Sequence, residues 1–248
     1  MQKPEDSPAR LARRWRTLKP ILFFSLLNNI SGSYCILGVK DREPLRDYKE
    51  KRDFSATPEP SGELKESGDS PIFVIQKHDA SNLHYDLRLE ADGVLKSWAV
   101  PKGPSMDPKV KRLAVPTEDH PMAYADFEGV IPEGHYGAGT VIVWDSGTFS
   151  NTKGDDVNLS DNLNEGHATI HLKGSKLIGN FALIRTKRGG KRPQWLFFKM
   201  KDDYTKPGSD ITSEMPNSSK TGRSLEEVAA EEEPADLVIS SSGNAIFS

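Results

Sequence analysis

A single cysteine, Cys35, occurs in the 248 residues of this chain. An intramolecular disulfide is therefore impossible and a four-thiolate zinc site is excluded, so any metal must be held by His, Asp or Glu. That cysteine usage fits a reducing, cytoplasmic setting. Long apolar runs are missing as well: nothing approaches the roughly 18 residues of a membrane span, and no membrane partner is expected. Bulk basicity is absent, with 33 Lys and Arg against 36 Asp and Glu and a formal net charge of −3. Any contact with nucleic acid has to come from a local basic patch. Hydrophobic residues make up only 35% and charged residues 28%, a polar balance that implies substantial chain outside the core.

The charge that is present is unevenly spread. Residues 1–40 carry seven basic and two acidic groups, whereas residues 205–248 carry three basic and eight acidic groups. Arg10, Arg13, Arg14, Arg16 and Lys19 precede the apolar stretch Ile21–Leu27, an arrangement similar to the start of a secretory leader. The apolar part is short and Asn28–Ser33 lacks a convincing cleavage site, so residues 1–37 read as an unassigned extension instead. Gly38–Arg52 alternates in charge and reads as a short helix or an arm, and Ser55–Ser70, rich in Pro, Gly, Ser and Glu, reads as a loop. After Tyr204 the composition is mostly Ser, Glu, Asp, Pro and Gly. Residues 205–248 are therefore expected to form a disordered acidic tail, with at most a transient helix over Ser224–Glu232.

Between these ends short β-type runs succeed one another: Ile72–Lys77, Leu83–Glu90, Val94–Val100, Arg112–Pro116, Thr140–Trp144, Ala168–Leu172, Leu177–Thr186 and Trp195–Met200. Turn signals such as Ala91-Asp92-Gly93 and Pro101-Lys102-Gly103-Pro104 separate them, and no amphipathic helix interrupts the series. Many short strands in regular succession predict an all-β fold, an antiparallel barrel or sandwich.

The most informative segment is Gln76 to Glu90. Alternate strand side chains share a face, so His84, Asp86 and Arg88 point one way and Leu83, Tyr85, Leu87 and Leu89 point the other, into a core. Gln76 and His78 share a face on the preceding strand by the same rule. Two imidazoles and a carboxylate on neighbouring strands form a three-ligand metal site suited to Mn, Fe or Zn, with positions left open for water or substrate. Arg88 adds a planar donor fork that matches a phosphate. On spacing alone the same residues also fit the wet face of a barrel.

A second polar stretch runs from Arg112 to Tyr124. Glu118 and His120 lie two apart and share a face of an extended segment, which leaves His120 open as a fourth ligand, a general acid or a phosphate donor. Two local basic sets exist: Lys96, Lys102, Lys109, Lys111 and Arg112, and Arg185, Lys187, Arg188, Lys191 and Arg192. Either can track a phosphate backbone or simply face solvent. Gly134-His135-Tyr136-Gly137-Ala138-Gly139 lacks the strand-then-helix context of a nucleotide loop and reads as a tight turn.

At these residues the chain resembles the 3′-phosphoesterase domain of bacterial DNA ligase D and its stand-alone relatives. The resemblance is carried by Lys51-Arg52-Asp53-Phe54-Ser55 with Pro58-Glu59-Pro60, by Phe73 to Glu90, and by Leu95-Lys96-Ser97-Trp98-Ala99-Val100-Pro101-Lys102-Gly103-Pro104. It continues through Lys111-Arg112-Leu113-Ala114-Val115, Glu118-Asp119-His120-Pro121 and Asp126 to Gly134, then more weakly to about Tyr204. It implies a compact antiparallel β-barrel over residues 38–204 with a surface active-site groove. It implies Mn²⁺ held by His78, His84 and Asp86, with Arg88 and His120 at the scissile phosphate and Tyr124 nearby. Gln76, Lys102, Arg112 and Glu118 match further functional positions, and Arg52, Asp53 and Glu59 match an amino-terminal substrate-binding segment. The activity implied is removal of 3′-terminal ribonucleosides and 3′-phosphates from DNA primer–template ends, leaving a 3′-hydroxyl. No Lys-x-Asp-Gly ligase motif is present, so the chain is expected to act alone or with a separate ligase, polymerase or end-binding protein. Two other readings remain at this stage: a non-haem iron oxygenase, which uses a similar two-His, one-carboxylate set, and a DNA-end-binding module without catalysis.

Overall fold

In a computed structural model of the chain, residues 43–62, 70–154, 157–187 and 193–232 are described. The expectations for residues 1–37, for the acidic stretch after Glu232, and for Arg188, Lys191 and Arg192 lie outside the described residues.

A short helix, α1 (Arg46–Glu50), precedes the strands β1 (Ile72–Asp79), β2 (Leu83–Ala91), β3 (Val94–Val100) and β4 (Arg112–Pro116). Next come the two-residue β5 (His120–Pro121), a 3₁₀ turn (Met122–Asp126), β6 (Gly129–Ile131) and the long β7 (Gly139–Asn151). Helix α2 (Leu159–Glu165) is followed by β8 (His167–Gly174), β9 (Ile178–Thr186), β10 (Gln194–Lys199) and two helices, α3 (Ile211–Glu214) and α4 (Leu225–Glu232). All eight strands expected from the sequence are present. They pair antiparallel in the order β1-β2-β3-β4-β10-β9-β8-β7, and β7 pairs back onto β1, so the fold is a closed eight-stranded antiparallel barrel. Closure leaves no free sheet edge around the ring. β5 and β6 attach to β3 and β7 outside it.

Strand alternation fills the interior. Phe73 and Ile75 from β1, Leu87 and Leu89 from β2, and Trp98, Phe181 and Phe197 from β3, β9 and β10 meet in one buried cluster. A free-standing barrel would turn its other face to water. Here that face is covered over β1 to β3: on β2, seven consecutive residues, Tyr85 to Ala91, are buried. The cover is a second apolar cluster in which Tyr48 of α1, Met122, Tyr124 and Phe127 pack onto Val74, Leu95, Val141 and Val143. Outward-facing polar side chains of β1 and β2 are thus trapped between two layers. There they must find partners or cost several kcal/mol each.

The segment after Tyr204 departs from expectation. Residues 205–232, read from composition as disordered, form an ordered strap against the barrel. Ile211 is 1% exposed in the interior cluster, and Leu225 and Val228 pack on Ile142. Hydrogen bonds supply what the polar composition lacks in apolar surface. Trp144 Nε1 donates to Met215 O at 2.7 Å, Lys176 Nζ to Met215 O at 3.0 Å, and Ser219 N to Val143 O at 2.9 Å. The Glu128 carboxylate accepts from Val143 N at 2.8 Å, from Thr221 Oγ1 at 2.8 Å and from Ser218 Oγ. The helix anticipated at Ser224–Glu232 is present as α4, with Leu225 and Val228 buried.

A chain ending at Tyr204 should consequently be destabilised by about 3 kcal/mol, since three buried apolar side chains are worth roughly 1.5–3 kcal/mol each before the gain in chain freedom is counted. Urea unfolding of chains ending at Tyr204 and at Glu232 measures the difference. Equal midpoints would mean that the strap is decoration. No helix among the described residues is long and apolar enough to cross a membrane.

Candidate active site and metal centre

β1 and β2 form a hairpin whose register sets His78 opposite His84 and Gln76 opposite Asp86. The outward face of this hairpin therefore carries both imidazoles and the carboxylate over two successive rungs. Ligand atoms of His78, His84 and Asp86 all lie within 4.8 Å of one another. Asp86 Oδ1 is 3.7 Å from His84 Nε2 and its Oδ2 is 3.9 Å from His78 Nδ1. The Nδ1 of His84 lies 2.9 Å from the Asn82 carbonyl, which only an N–H can satisfy, so Nε2 is the ring nitrogen left to bind an ion beside Asp86. His78 Nε2 is buried without a hydrogen-bond partner among the described residues. A carboxylate facing two imidazole rings, one with an orphaned nitrogen, fits a divalent cation better than it fits a closed hydrogen-bond network. Burial by itself would raise the Asp86 pKa. The Arg88 guanidinium and the two imidazoles outweigh it and hold the carboxyl ionised well below the usual range.

Arg88 continues the face and is fixed on every side. Its Nε donates to Gln76 Oε1 at 2.7 Å, Nη1 to Ser97 Oγ at 3.0 Å and Nη2 to Asp86 Oδ2 at 3.0 Å. Its guanidinium lies 4.9 Å from the centre of the Tyr124 ring. Gln76, fully buried, also donates through Nε2 to the carbonyls of Tyr124 at 3.0 Å and Phe127 at 2.9 Å. One amide thus ties the arginine to the 3₁₀ turn that covers it. Gln76→Leu should cost about 3 kcal/mol, because it leaves two carbonyls and the Arg88 Nε buried and unpaired. Chemical denaturation reads this directly, and a cost below 1 kcal/mol would show that water replaces the amide.

His120, 3% exposed, reaches the site from β5. Its Nδ1 donates to the Glu118 carbonyl at 2.9 Å and lies 3.4 Å from Ser97 Oγ, so Nε2 accepts from Arg52 Nη2 at 3.2 Å. Burial first, then the Arg88 and Arg52 charges, push the His120 pKa well below its ordinary value and keep the imidazole neutral. A phosphate in the groove would oppose that shift.

Arg52 comes from the segment after α1 and joins the amino-terminal arm to the barrel. It binds Glu59 Oε1 at 2.8 Å and Glu118 Oε1 at 3.0 Å, with its guanidinium 4.0 Å from the centre of the Tyr48 ring. The Tyr124 hydroxyl donates to the same Glu59 oxygen at 2.9 Å. Burial foremost pushes the Tyr124 phenol pKa well above 10, so it remains a proton donor.

A groove of about 200 Å³ is lined by Arg52, His78, His84, Asp86, Arg88, Glu118, His120 and Tyr124. Eight of the residues singled out in the sequence therefore share one cleft, with Gln76 beneath it and Glu59 behind it. The other three stand apart from it. Asp53 is exposed and its carboxylate closes its own turn through Ser55 N at 3.0 Å; Lys102 is exposed on the β3–β4 connection; Arg112 starts β4 at the β10 side of the barrel. Sequence reasoning missed Tyr48 and Lys51, which enter through the amino-terminal arm, and Ser97, which the register places beside Arg88. It also took the glycine-rich loop as a turn only, whereas Tyr136 of that loop lines the groove.

Residues 76–185 match the family described as the DNA ligase D 3′-phosphoesterase domain, and this part of the chain belongs to that family. More particularly, the chain is 54% identical over 187 residues to the multifunctional non-homologous end joining protein LigD of Pseudomonas aeruginosa, covering 74% of this chain and 22% of that protein. It is 48% identical over 165 residues to the multifunctional non-homologous end joining DNA repair protein LigD of Mycobacterium tuberculosis, covering 66% and 20%. The corresponding protein of Mycolicibacterium smegmatis is 48% identical over 163 residues, covering 64% and 21%. The chain thus spans about a fifth of the length of these curated relatives.

Proposed function

We propose that this chain processes DNA 3′ ends, hydrolysing the phosphate ester of a terminal 3′-phosphate or 3′-ribonucleoside to leave a 3′-hydroxyl for repair synthesis and ligation. The observation that supports this most is the junction of three candidate metal donors with an immobilised arginine and a buried histidine in one groove. His78, His84 and Asp86 would hold one divalent ion, Mn²⁺ by family resemblance. Such an ion polarises a phosphate oxygen and lowers the pKa of bound water.

The protein's own groups do the rest. Arg88 is held by Gln76, Ser97 and Asp86, and the second N–H on each Nη would meet phosphoryl charge from a guanidinium that need not reorganise. Arg52 donates to His120 Nε2, so an incoming phosphate would compete for that N–H and, by its charge, favour protonation of the freed Nε2 from water. Tyr124, Glu59 and Glu118 hold these cations in place. Lys102 and Arg112, outside the groove, would contact the phosphate backbone beyond the reacting end, and Asp53 would shape the turn that presents Arg52. A ligase or polymerase would take over the 3′-hydroxyl.

The deciding assay combines the full chain, Mn²⁺ and a labelled primer–template carrying a 3′-phosphate. Release of inorganic phosphate that stops in excess chelator supports the reading. No release, with consumption of 2-oxoglutarate in the presence of ferrous iron, would replace it with the oxygenase chemistry that the same donor set allows. DNA binding without any turnover would leave an end-binding module.

A further inference from the structure

Tyr136 is the most exposed of the large hydrophobic side chains among the described residues, at 48%, and it lies on the wall of the catalytic groove. A single exposed ring is ordinary on a protein surface, and Tyr204 is as exposed; what sets Tyr136 apart is its place on the groove wall. The loop that carries it is built to present it. Gly134 and Gly137 flank it at φ +84° and +80°, in the left-handed region that glycine adopts without strain. A Cβ at Gly134 would meet nothing within 4 Å, and one at Gly137 only Ile131 Cδ1 at 3.8 Å. Packing does not require either glycine, so both serve the path of the backbone. The turn is closed by His135 N to Pro132 O at 3.3 Å and Ala138 N to His135 O at 3.2 Å.

The surroundings of the ring narrow what can cover it. Lys51 Nζ lies 4.7 Å and the Arg52 guanidinium 5.4 Å from the ring centre. The phenol hydroxyl donates to Glu118 Oε2 at 3.3 Å, and Lys51 Nζ approaches the same hydroxyl at 3.3 Å. The partner must therefore be planar and apolar on its face, yet attached to an anion that Lys51 and Arg52 attract. A nucleobase on a phosphate-bearing sugar meets both demands, whereas an isolated phosphate or an acidic peptide meets only the second. Stacking is tolerant of base identity, as an end of arbitrary sequence requires.

The geometry points to Tyr136 as the stacking platform for the nucleobase of the 3′-terminal nucleotide, the group that seats the end so that its phosphate falls between Arg88 and the metal ligands. This inference rests on the DNA-end reading above and deepens it: Tyr136 selects an end that still carries a base.

The test pairs a change in the protein with a change in the substrate. Loss of one stacked base typically weakens binding about tenfold. Tyr136→Ala should raise KM for a base-bearing 3′-end about tenfold with a smaller change in kcat, and Tyr136→Phe, which keeps the ring but not the Glu118 hydrogen bond, should restore KM. A substrate whose 3′-terminal nucleotide is abasic should be about tenfold worse for the natural protein and no worse for Tyr136→Ala than a base-bearing one. In parallel, 2-aminopurine at the 3′-terminal position, with chelator present to prevent turnover, should be quenched by the natural protein and by Tyr136→Phe but not by Tyr136→Ala. Equal penalties for the missing base in the natural protein and in Tyr136→Ala would overturn the proposal, as would a 2-aminopurine signal that the natural protein leaves unchanged. Absence of turnover by the natural protein on every end overturns instead the phosphoesterase reading, because the fluorescence arm reports stacking without chemistry.

Discussion

In His84→Ala, divalent-metal binding is expected to vanish, and 3′-phosphate release to fall at least about 10³-fold, the rate equivalent of the several kcal/mol that a metal contributes to a phosphoryl transition state. Three donors lie within 4.8 Å of one another, and removing one leaves too few protein ligands to hold a labile ion. Asp86→Ala should have the same catalytic outcome and an additional cost. The carboxylate is buried against Arg88 Nη2 at 3.0 Å, so its loss strands a buried guanidinium, typically at about 3–5 kcal/mol of stability. His84, whose side chain is 23% exposed and bonds only its own turn, is the cleaner variant. Metal titration and phosphate release on the same preparation make the measurement. Full activity of either variant, or of the natural protein in excess chelator, removes the metal from the reaction.

His120→Ala should separate metal binding from catalysis. The residue lies on β5, its ring bonds Glu118 and Arg52, and none of its hydrogen bonds goes to the three candidate ligands. Metal affinity should stay within a few-fold, while turnover falls ~10²–10³-fold, as when one preorganised electrostatic contact to a transferring group is deleted. Arg88→Lys should behave similarly despite keeping the charge. A lysine cannot reproduce donors to Gln76, Ser97 and Asp86 at once, and its single ammonium cannot grip a phosphate with two prongs. Parallel loss of metal and activity in His120→Ala would make His120 a fourth ligand. Retention of both would make it structural and move the phosphate contacts elsewhere in the groove.

The barrel was legible because each wall strand is a short run of β-type residues closed by a turn, and alternation in β2 assigned its faces correctly: Tyr85, Leu87 and Leu89 are inside, His84, Asp86 and Arg88 outside. Leu83 was assigned inward and is instead 46% exposed, because β2 begins there at the hairpin turn. The outer layer was not legible. Tyr48, Met122 and Phe127 reach Val74 and Val143 through contacts distant in sequence, and no periodicity announces them. Nor could one strand reveal that Ser97 faces Arg88, which depends on the β2–β3 register. The strap was misread for a physical reason: Trp144 and Lys176 donate to its backbone and Glu128 accepts from its side chains, so a polar composition with only three well-buried apolar anchors, Ile211, Leu225 and Val228, is ordered largely by hydrogen bonds. Lys102 and Arg112 show the converse. Similarity to a family marked them as functional but could not place them, and both stand away from the groove.

All three candidate ligands come from one hairpin, with only the turn Ala80-Ser81-Asn82 between its strands. Most of the donors are therefore near neighbours along the chain, and the denatured ensemble retains a weak chelating segment. Metal stabilises a fold only by the difference between its affinities for the native and the unfolded chain. The rise in melting temperature on adding metal should thus be smaller than the native-state dissociation constant alone implies. A chain emerging during synthesis would meet the ion before the barrel closes, since β10, the last wall strand and the one that joins β4 to β9, begins about 110 residues after His84.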